Sequence, residues 1–174
     1  LEVEILGMSA DDHKWMIAAS GATEPGARYI FDRDSKALMK QYQSREQLPR
    51  QDLAEMTPLR YKSSDGLEIP AYLTLPKGVP GRNLPLIVVP HGGPWARDAF
   101  GYNGMAQFFA NRGFAVLMPN FRGSTGFGKR VLNAGNNQWG DKMQDAITWG
   151  VKYLVSQGPA APKRVTISGG SSDG

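Results

Sequence analysis

The hydrophobic positions change rhythm twice along the chain. In residues 1–45 they come in short runs. Leu1 to Leu6 partly alternates apolar and charged residues, Trp15 to Ala19 and Arg28 to Phe31 are apolar or mixed runs, and Ala37 to Met39 begins another. Polar turns at 8–14 and 32–35 separate them. Short strands with Asp/Ser/Gly turns at this spacing predict antiparallel β-structure, either a meander or a propeller blade. A few such strands lack both edge pairing and a buried face, so they are not expected to stand alone. Asp11, Asp12 and His13 sit together, but turn chemistry accounts for them better than a metal site does. Residues 43–58 lose the pattern. Gln43, Gln47 and Gln51 mix with Arg and Glu around Pro49 and Pro58, which predicts a linker, at 46–58, with one helical turn.

From Leu59 the rhythm is that of an α/β domain. Leu59–Lys62, the turn Ser63-Ser64-Asp65-Gly66 and Leu67–Leu75 predict a hairpin. Leu86-Ile87-Val88-Val89 and Ala115-Val116-Leu117-Met118 are continuous apolar runs, as in strands buried on both faces. Between them, Met105 to Arg112 predicts a helix with Phe108 and Phe109 inward and Gly113 at its end. Met143, Ile147, Val151 and Leu154 fall on one face of a helix over 141–157, with Asp141 at its positive end and Gly158 beyond it. A last strand runs from Val165 to Ser168. Strands alternating with helices predict a mostly parallel sheet with helices on both faces, and functional groups at the carboxyl ends of the strands.

Composition narrows the choice of chemistry. The chain has 174 residues, a hydrophobic share of 41% and a charged share of 21%, within the ordinary globular range. It has no cysteine and two histidines, His13 and His91. That excludes a disulfide scaffold and thiolate metal sites, and a multi-histidine cluster is not expected. Net charge is +4 with Lys and Arg scattered, so a solvated surface is favoured over nucleic-acid binding. No apolar run is long enough to span a bilayer. The N-terminus lacks a signal-peptide pattern. A soluble protein, cytoplasmic or periplasmic, is expected, with no cofactor or metal, no nucleic-acid or membrane partner, and an oligomeric state left open.

The candidate chemistry lies in glycine-rich segments at the strand ends. The first is Pro90-His91-Gly92-Gly93-Pro94-Trp95. A His-Gly-Gly loop after a central strand can aim a backbone N–H at a substrate oxygen. The last strand leads into Gly169-Gly170-Ser171-Ser172-Asp173-Gly174, a strand-to-turn junction of the nucleophile-elbow kind. Two registers are open: Gly170 to Gly174 centres a G-x-S-x-G pattern on Ser172, while strand spacing favours Ser171. A frayed Ser/Gly tail is the plain alternative. The middle loop, Gly123 to Arg130, nearly matches a phosphate cradle with Gly123, Gly128 and Lys129, but Arg130 stands where a hydroxyl must bind magnesium. A serine nucleophile needs a histidine base. Both histidines precede Ser171. His91 is better suited to holding loop shape, so the 174 residues are not expected to contain a complete triad.

These motifs together resemble the prolyl oligopeptidase family of serine peptidases, its acylaminoacyl-peptidase and dipeptidyl-peptidase-like members in particular. The resemblance is carried by Tyr61 to Pro76, His91-Gly92-Gly93-Pro94-Trp95-Ala96-Arg97, Asn120-Phe121-Arg122-Gly123-Ser124-Thr125-Gly126-Phe127-Gly128, Trp139-Gly140 with Asp145, and Pro162-Lys163-Arg164-Val165, in order and at the right spacing across 59–171. It implies the first part of an α/β-hydrolase domain at 59–174, preceded at 1–45 by the end of a β-propeller, in a chain truncated at both ends. It implies a peptidase acting on short or N-acylated peptides, with Ser171 as nucleophile and Gly93 and Ser172 N–H as the oxyanion hole. A small-ester hydrolase of the same fold and a non-catalytic remnant acting as an interaction piece are the rival readings. Arg97 and Arg122 would support the oxyanion loop or meet a peptide group, with surface ion pairing the alternative. Departures follow the serine. The family places an aromatic residue and then glycine there, where this chain has Ser172 and Asp173. A carboxylate beside a developing oxyanion is unfavourable.

Overall fold

The structure is a computed structural model that describes residues 1–171. Four strands, β1 (Glu2–Met8), β2 (Lys14–Gly21), β3 (Glu24–Asp32) and β4 (Leu38–Gln43), form an antiparallel sheet in sequence order. The β1–β2 and β3–β4 turns are made by the polar clusters seen in the sequence. The Asp11 carboxylate accepts from the Ser9 hydroxyl at 2.6 Å and from the His13 N–H at 3.2 Å. Trp15 Nε1 donates to Asp12 at 2.6 Å, and His13 Nδ1 lies 2.6 Å from Asp34. Asp32 accepts from the N–H groups of Asp34 and Ser35. Such side-chain bonds to nearby groups stabilise turns. The 46–58 segment was expected as a linker with one helical turn. It carries a single 3-10 turn, Arg50–Asp52, after which Leu53, Ala54 and Met56 are buried.

Five strands form the second sheet: β5 (Met56–Lys62), β6 (Glu68–Thr74), β7 (Leu84–Val88), β8 (Ala115–Pro119) and β9 (Ala160–Ile167), in the order β5-β6-β8-β7-β9. The β5/β6 and β6/β8 pairings are antiparallel, and only β7/β8 and β7/β9 are parallel. The expectation of a mostly parallel sheet is thereby corrected for the described residues. A tight turn can join only antiparallel neighbours, which accounts for β5/β6, and the hairpin adds itself to the sheet through an antiparallel β6/β8 pairing.

Helices cover both faces. α1 (Gly104–Ala110) packs on the face that carries Val116 and Met118. α2 (Lys129–Asn133) is a short turn of helix. α3 (Lys142–Gln157) packs on the other face, its Met143, Ala146, Ile147 and Leu154 meeting Leu86, Val88 and Leu117. Alternate residues of β8 thus serve two cores, as a strand buried on both sides requires. The inward face of α1 is only partly the one read from the sequence: Phe109 packs against the Val116 and Met118 core, but Phe108 does not. Phe108 is half exposed beneath the Arg112 guanidinium, 3.6 Å from its ring centroid. Gln107 points inward instead. Its Oε1 accepts from Ala54 N–H at 2.9 Å, and its Nε2 donates to the carbonyls of Ala54 at 2.8 Å and Ala22 at 3.3 Å. One buried amide therefore joins both sheets and the segment between them.

Candidate active site

Three strand ends converge: β7 ends before His91, β8 before Asn120, and β9 before Ser168. Ser168 N–H still donates to Val88 O at 2.9 Å, which carries the parallel ladder up to the turn. Beyond it Ser171 takes φ = 77°, one of the few non-glycine residues with positive φ. A left-handed serine at the carboxyl end of a parallel strand is the strained geometry of a nucleophile elbow. Ser171 is exposed. The alternative nucleophile, Ser172, and the second proposed oxyanion donor, its N–H, lie outside the described residues, as does Asp173.

The His-Gly-Gly loop lies directly against this turn. A Cβ on Gly92 would stand 2.9 Å from Gly170 O and 3.5 Å from Ser171 Cβ. Gly93 has φ = 126°, and a Cβ there would meet Trp95 N at 2.7 Å. Only glycine allows that backbone at either position. Gly93 and Ser171 both line a cavity of about 270 Å³. Phe121, Met143 and Ile147 give it apolar walls, with Gln144 as a polar group and Trp139, two-thirds exposed, among the lining residues. The sequence marked Met143 and Ile147 as core. They are core, and they also wall the cavity, because the same face of α3 runs from the sheet out to the strand ends.

His91 shapes the loop. Its Nδ1 is 2.8 Å from Gly92 O, a carbonyl that can only accept, so Nδ1 carries the proton. Nε2 then accepts from the Ser124 hydroxyl at 2.8 Å. The imidazole also stacks on Phe121, with centroids 4.6 Å apart. His13 is in the first turn of the four-stranded sheet. Arg97 lies over the Phe127 ring at 4.7 Å and against Gly126, and its Nε donates to Asp98 O at 3.3 Å.

Asp98 had no signal in the sequence. Its N–H donates to Asn120 Oδ1 at 2.8 Å, and Asn120 returns a bond to Asp98 O at 3.2 Å. These bonds tie the 91–98 loop to the end of β8. Burial pushes the Asp98 carboxyl above its ordinary range, opposed by His91, and its Oδ2 is buried without a hydrogen bond. Asp65, by contrast, is held at about 2 by its bond to Arg122. Glycine loop 123–128, the rival phosphate cradle, packs against the 91–96 loop, with Thr125 N–H donating to Ala96 O at 2.9 Å. Among the described residues no cluster of His, Asp and Glu is positioned to hold a metal ion. No described helix is long and apolar enough to cross a membrane.

A family model described as the prolyl oligopeptidase family matches residues 100–174. Dipeptidyl aminopeptidase BIII of Pseudoxanthomonas mexicana is 41% identical over 180 residues, which cover 99% of this chain and 26% of that one. The acylamino-acid-releasing enzyme of Sus scrofa is 32% identical over 111 residues, covering 63% of this chain and 15% of its own. Among solved structures, a puromycin-hydrolyzing peptidase of Mycobacterium tuberculosis superposes with a TM-score of 0.78 at 26% identity, covering 92% of this chain and 26% of that one. An acylaminoacyl peptidase complexed with a chloromethyl ketone superposes at 0.72, also at 26% identity, over 95% of this chain and 26% of its own. The chain thus spans about a quarter of the length of the first relatives it matches.

Proposed function

We propose that this chain supplies the nucleophile and an oxyanion donor of a serine peptidase that cleaves short peptides through an acyl-enzyme. The observation that carries the reading is the contact between two loops. Ser171, at φ = 77°, packs against Gly92, and Gly93 shares its cavity. Attack by Ser171 Oγ on a peptide carbonyl would place the developing negative oxygen near Gly93 N–H, with Ser172 N–H as the second donor. The cavity combines the apolar walls of Phe121, Met143 and Ile147 with polar groups such as Gln144, and suits a side chain next to the scissile bond. The related proteins are named for dipeptidyl, acylamino-acid and puromycin substrates. A substrate with a short N-terminal portion is the reading they favour for this chain.

The four-stranded sheet at 1–45 is read as the end of a propeller and 46–58 as the joint. Residues 59–174 are read as the opening part of the α/β-hydrolase domain. The base is assigned to neither histidine. His91 has both ring nitrogens in hydrogen bonds that set the loop, and His13 faces Asp34. The 174-residue polypeptide alone is therefore expected to turn over little or no substrate.

The test uses protein expressed from the complete gene, treated with a fluorophosphonate and then assayed on aminopeptide, acylpeptide and small-ester substrates. Labelling that is lost in Ser171→Ala and kept in Ser172→Ala supports the reading and its register. Labelling lost only in Ser172→Ala moves the nucleophile by one residue. Turnover of esters with none of peptides would replace the peptidase by an esterase, and no labelling at all would end both readings.

A further inference from the structure

Resting on the peptidase reading above, we propose that Asp65 and Arg122 are positioning residues for the oxyanion loop, acting from outside the cavity through the loop that follows β8. Arg122 is buried, with a side chain 3% exposed. Its Nη1 donates to Asp65 Oδ2 at 3.0 Å and its Nη2 to Asp65 Oδ1 at 2.9 Å, a two-pronged pair, with Ser63 Oγ 3.3 Å from Nη2. The acceptor is itself fixed. The 63–67 turn is closed by Ser63 N–H to Leu67 O at 2.9 Å, Gly66 N–H to Ser63 O at 3.0 Å, and Leu67 N–H to Asp65 Oδ1 at 3.2 Å. Ser64 Oγ also donates to Asp145 of α3 at 3.0 Å. The hairpin turn therefore grips both the helix that walls the cavity and the loop beside it.

The neighbours of Arg122 in sequence hold the oxyanion loop. Phe121 stacks on His91, and Ser124 Oγ donates to its Nε2. Gly123 lies so close to Pro94 that a Cβ there would approach Pro94 Cβ to 2.8 Å. Thr125 N–H holds Ala96 O. Residues 121 and 123–125 thus touch the 91–96 segment from below, while Arg122 reaches to the 63–65 turn. A two-pronged guanidinium–carboxylate pair fixes orientation as well as distance. Oxyanion donors are effective only when held to a fraction of an ångström, and a misplacement near 1 Å can cost about 10²-fold. Asp65 is one-third exposed, so its carboxylate can be changed without opening the core.

Asp65→Asn and Arg122→Lys, made in protein expressed from the complete gene, test this. Three quantities are read: kcat and KM separately, affinity for a peptide trifluoromethyl ketone whose adduct oxygen enters the oxyanion hole, and affinity for a product peptide. The expected result for Asp65→Asn is a fall in kcat of about tenfold with KM within about twofold. Ketone affinity should fall by the same factor as kcat, while product affinity is unchanged. Arg122→Lys, which keeps the charge and loses the fork, should show the same pattern. A folded Asp65→Asn protein with wild-type kcat and ketone affinity, whatever its melting temperature, overturns the positioning role and leaves the ion pair as a structural clamp. If wild type itself takes no fluorophosphonate label, the functional reading falls and this inference with it. If wild type labels and Asp65→Asn equals it, only this inference falls.

Discussion

At the scale of single residues, the site depends on side chains that are absent. Gly92 has no room for a methyl group because Gly170 O would stand 2.9 Å from it. Gly92→Ala is therefore expected to push the two loops apart and lower kcat/KM by about 10²-fold, with a much smaller change in melting temperature. Steady-state kinetics and a thermal melt on the same sample check this. On the proposed reading, Ser171→Ala should reduce kcat by at least about 10³-fold, since losing a nucleophile leaves only binding and oxyanion stabilisation. Neither effect is separable from the sequence reading of the strand end, which placed Ser171 one residue ahead of the rival register on strand spacing and on the family resemblance.

At the scale of elements, α3 and the β5–β6 hairpin are fitted to each other at Gly150 and Tyr61. Tyr61 is buried and donates from its hydroxyl to Ala146 O at 2.9 Å, and burial raises its pKa. A Cβ on Gly150 would meet the Tyr61 ring and hydroxyl at 2.8 Å and Leu117 Cδ2 at 2.9 Å. In a bare helix Gly→Ala gains about 1 kcal/mol. Here overpacking should outweigh that gain, and Gly150→Ala is expected to destabilise by about 1–2 kcal/mol in urea melts. The Asp65–Arg122 pair gives a pH signature. Its folded pKa is about 2, held there first by the bond to Arg122, against an ordinary value of about 3.9. A depressed carboxyl contributes stability above its unfolded pKa and loses it as pH falls through the folded one. The stability difference between wild type and Asp65→Asn should therefore be constant above about pH 5 and shrink between about pH 4 and 2. A difference independent of pH over that window would mean that the ionised carboxylate is not what stabilises the turn.

At the scale of the whole molecule, two features decide behaviour. Gln107 satisfies the N–H and the carbonyl of Ala54 and reaches Ala22 O in the other sheet. Gln107→Ala would strand those buried groups at about 1–3 kcal/mol each. The expected result is a lower melting temperature, with faster hydrogen exchange at Ala54 than at the β7–β8 ladder. The four-stranded sheet, meanwhile, exposes Val3, Ile5, Leu6, Met8, Met16, Leu38 and Met39. By the strand register these side chains lie on both faces of the sheet, and that much exposed apolar surface favours association. The 174-residue polypeptide by itself is expected to self-associate and bind a hydrophobic dye, which light scattering and dye fluorescence would show.

The sequence alone determined the strands and the main helix, because period-two and helical spacing are local properties that burial enforces directly. It also determined the glycine loops at the strand ends, since left-handed or crowded backbone admits little else. The tertiary structure decided the rest. Phe108 was read as inward and Gln107 was overlooked because helical spacing places residues on a face but does not say which face meets the sheet. The 46–58 segment was read as a linker with one helical turn because few of its residues are apolar, while burial of Leu53, Ala54 and Met56 depends on partners far away in the chain. Sheet order is likewise non-local: β6 pairs with β8 rather than β7. Asp65 and Arg122 are 57 positions apart, and no local pattern reports a pair that only folding brings within hydrogen-bonding distance.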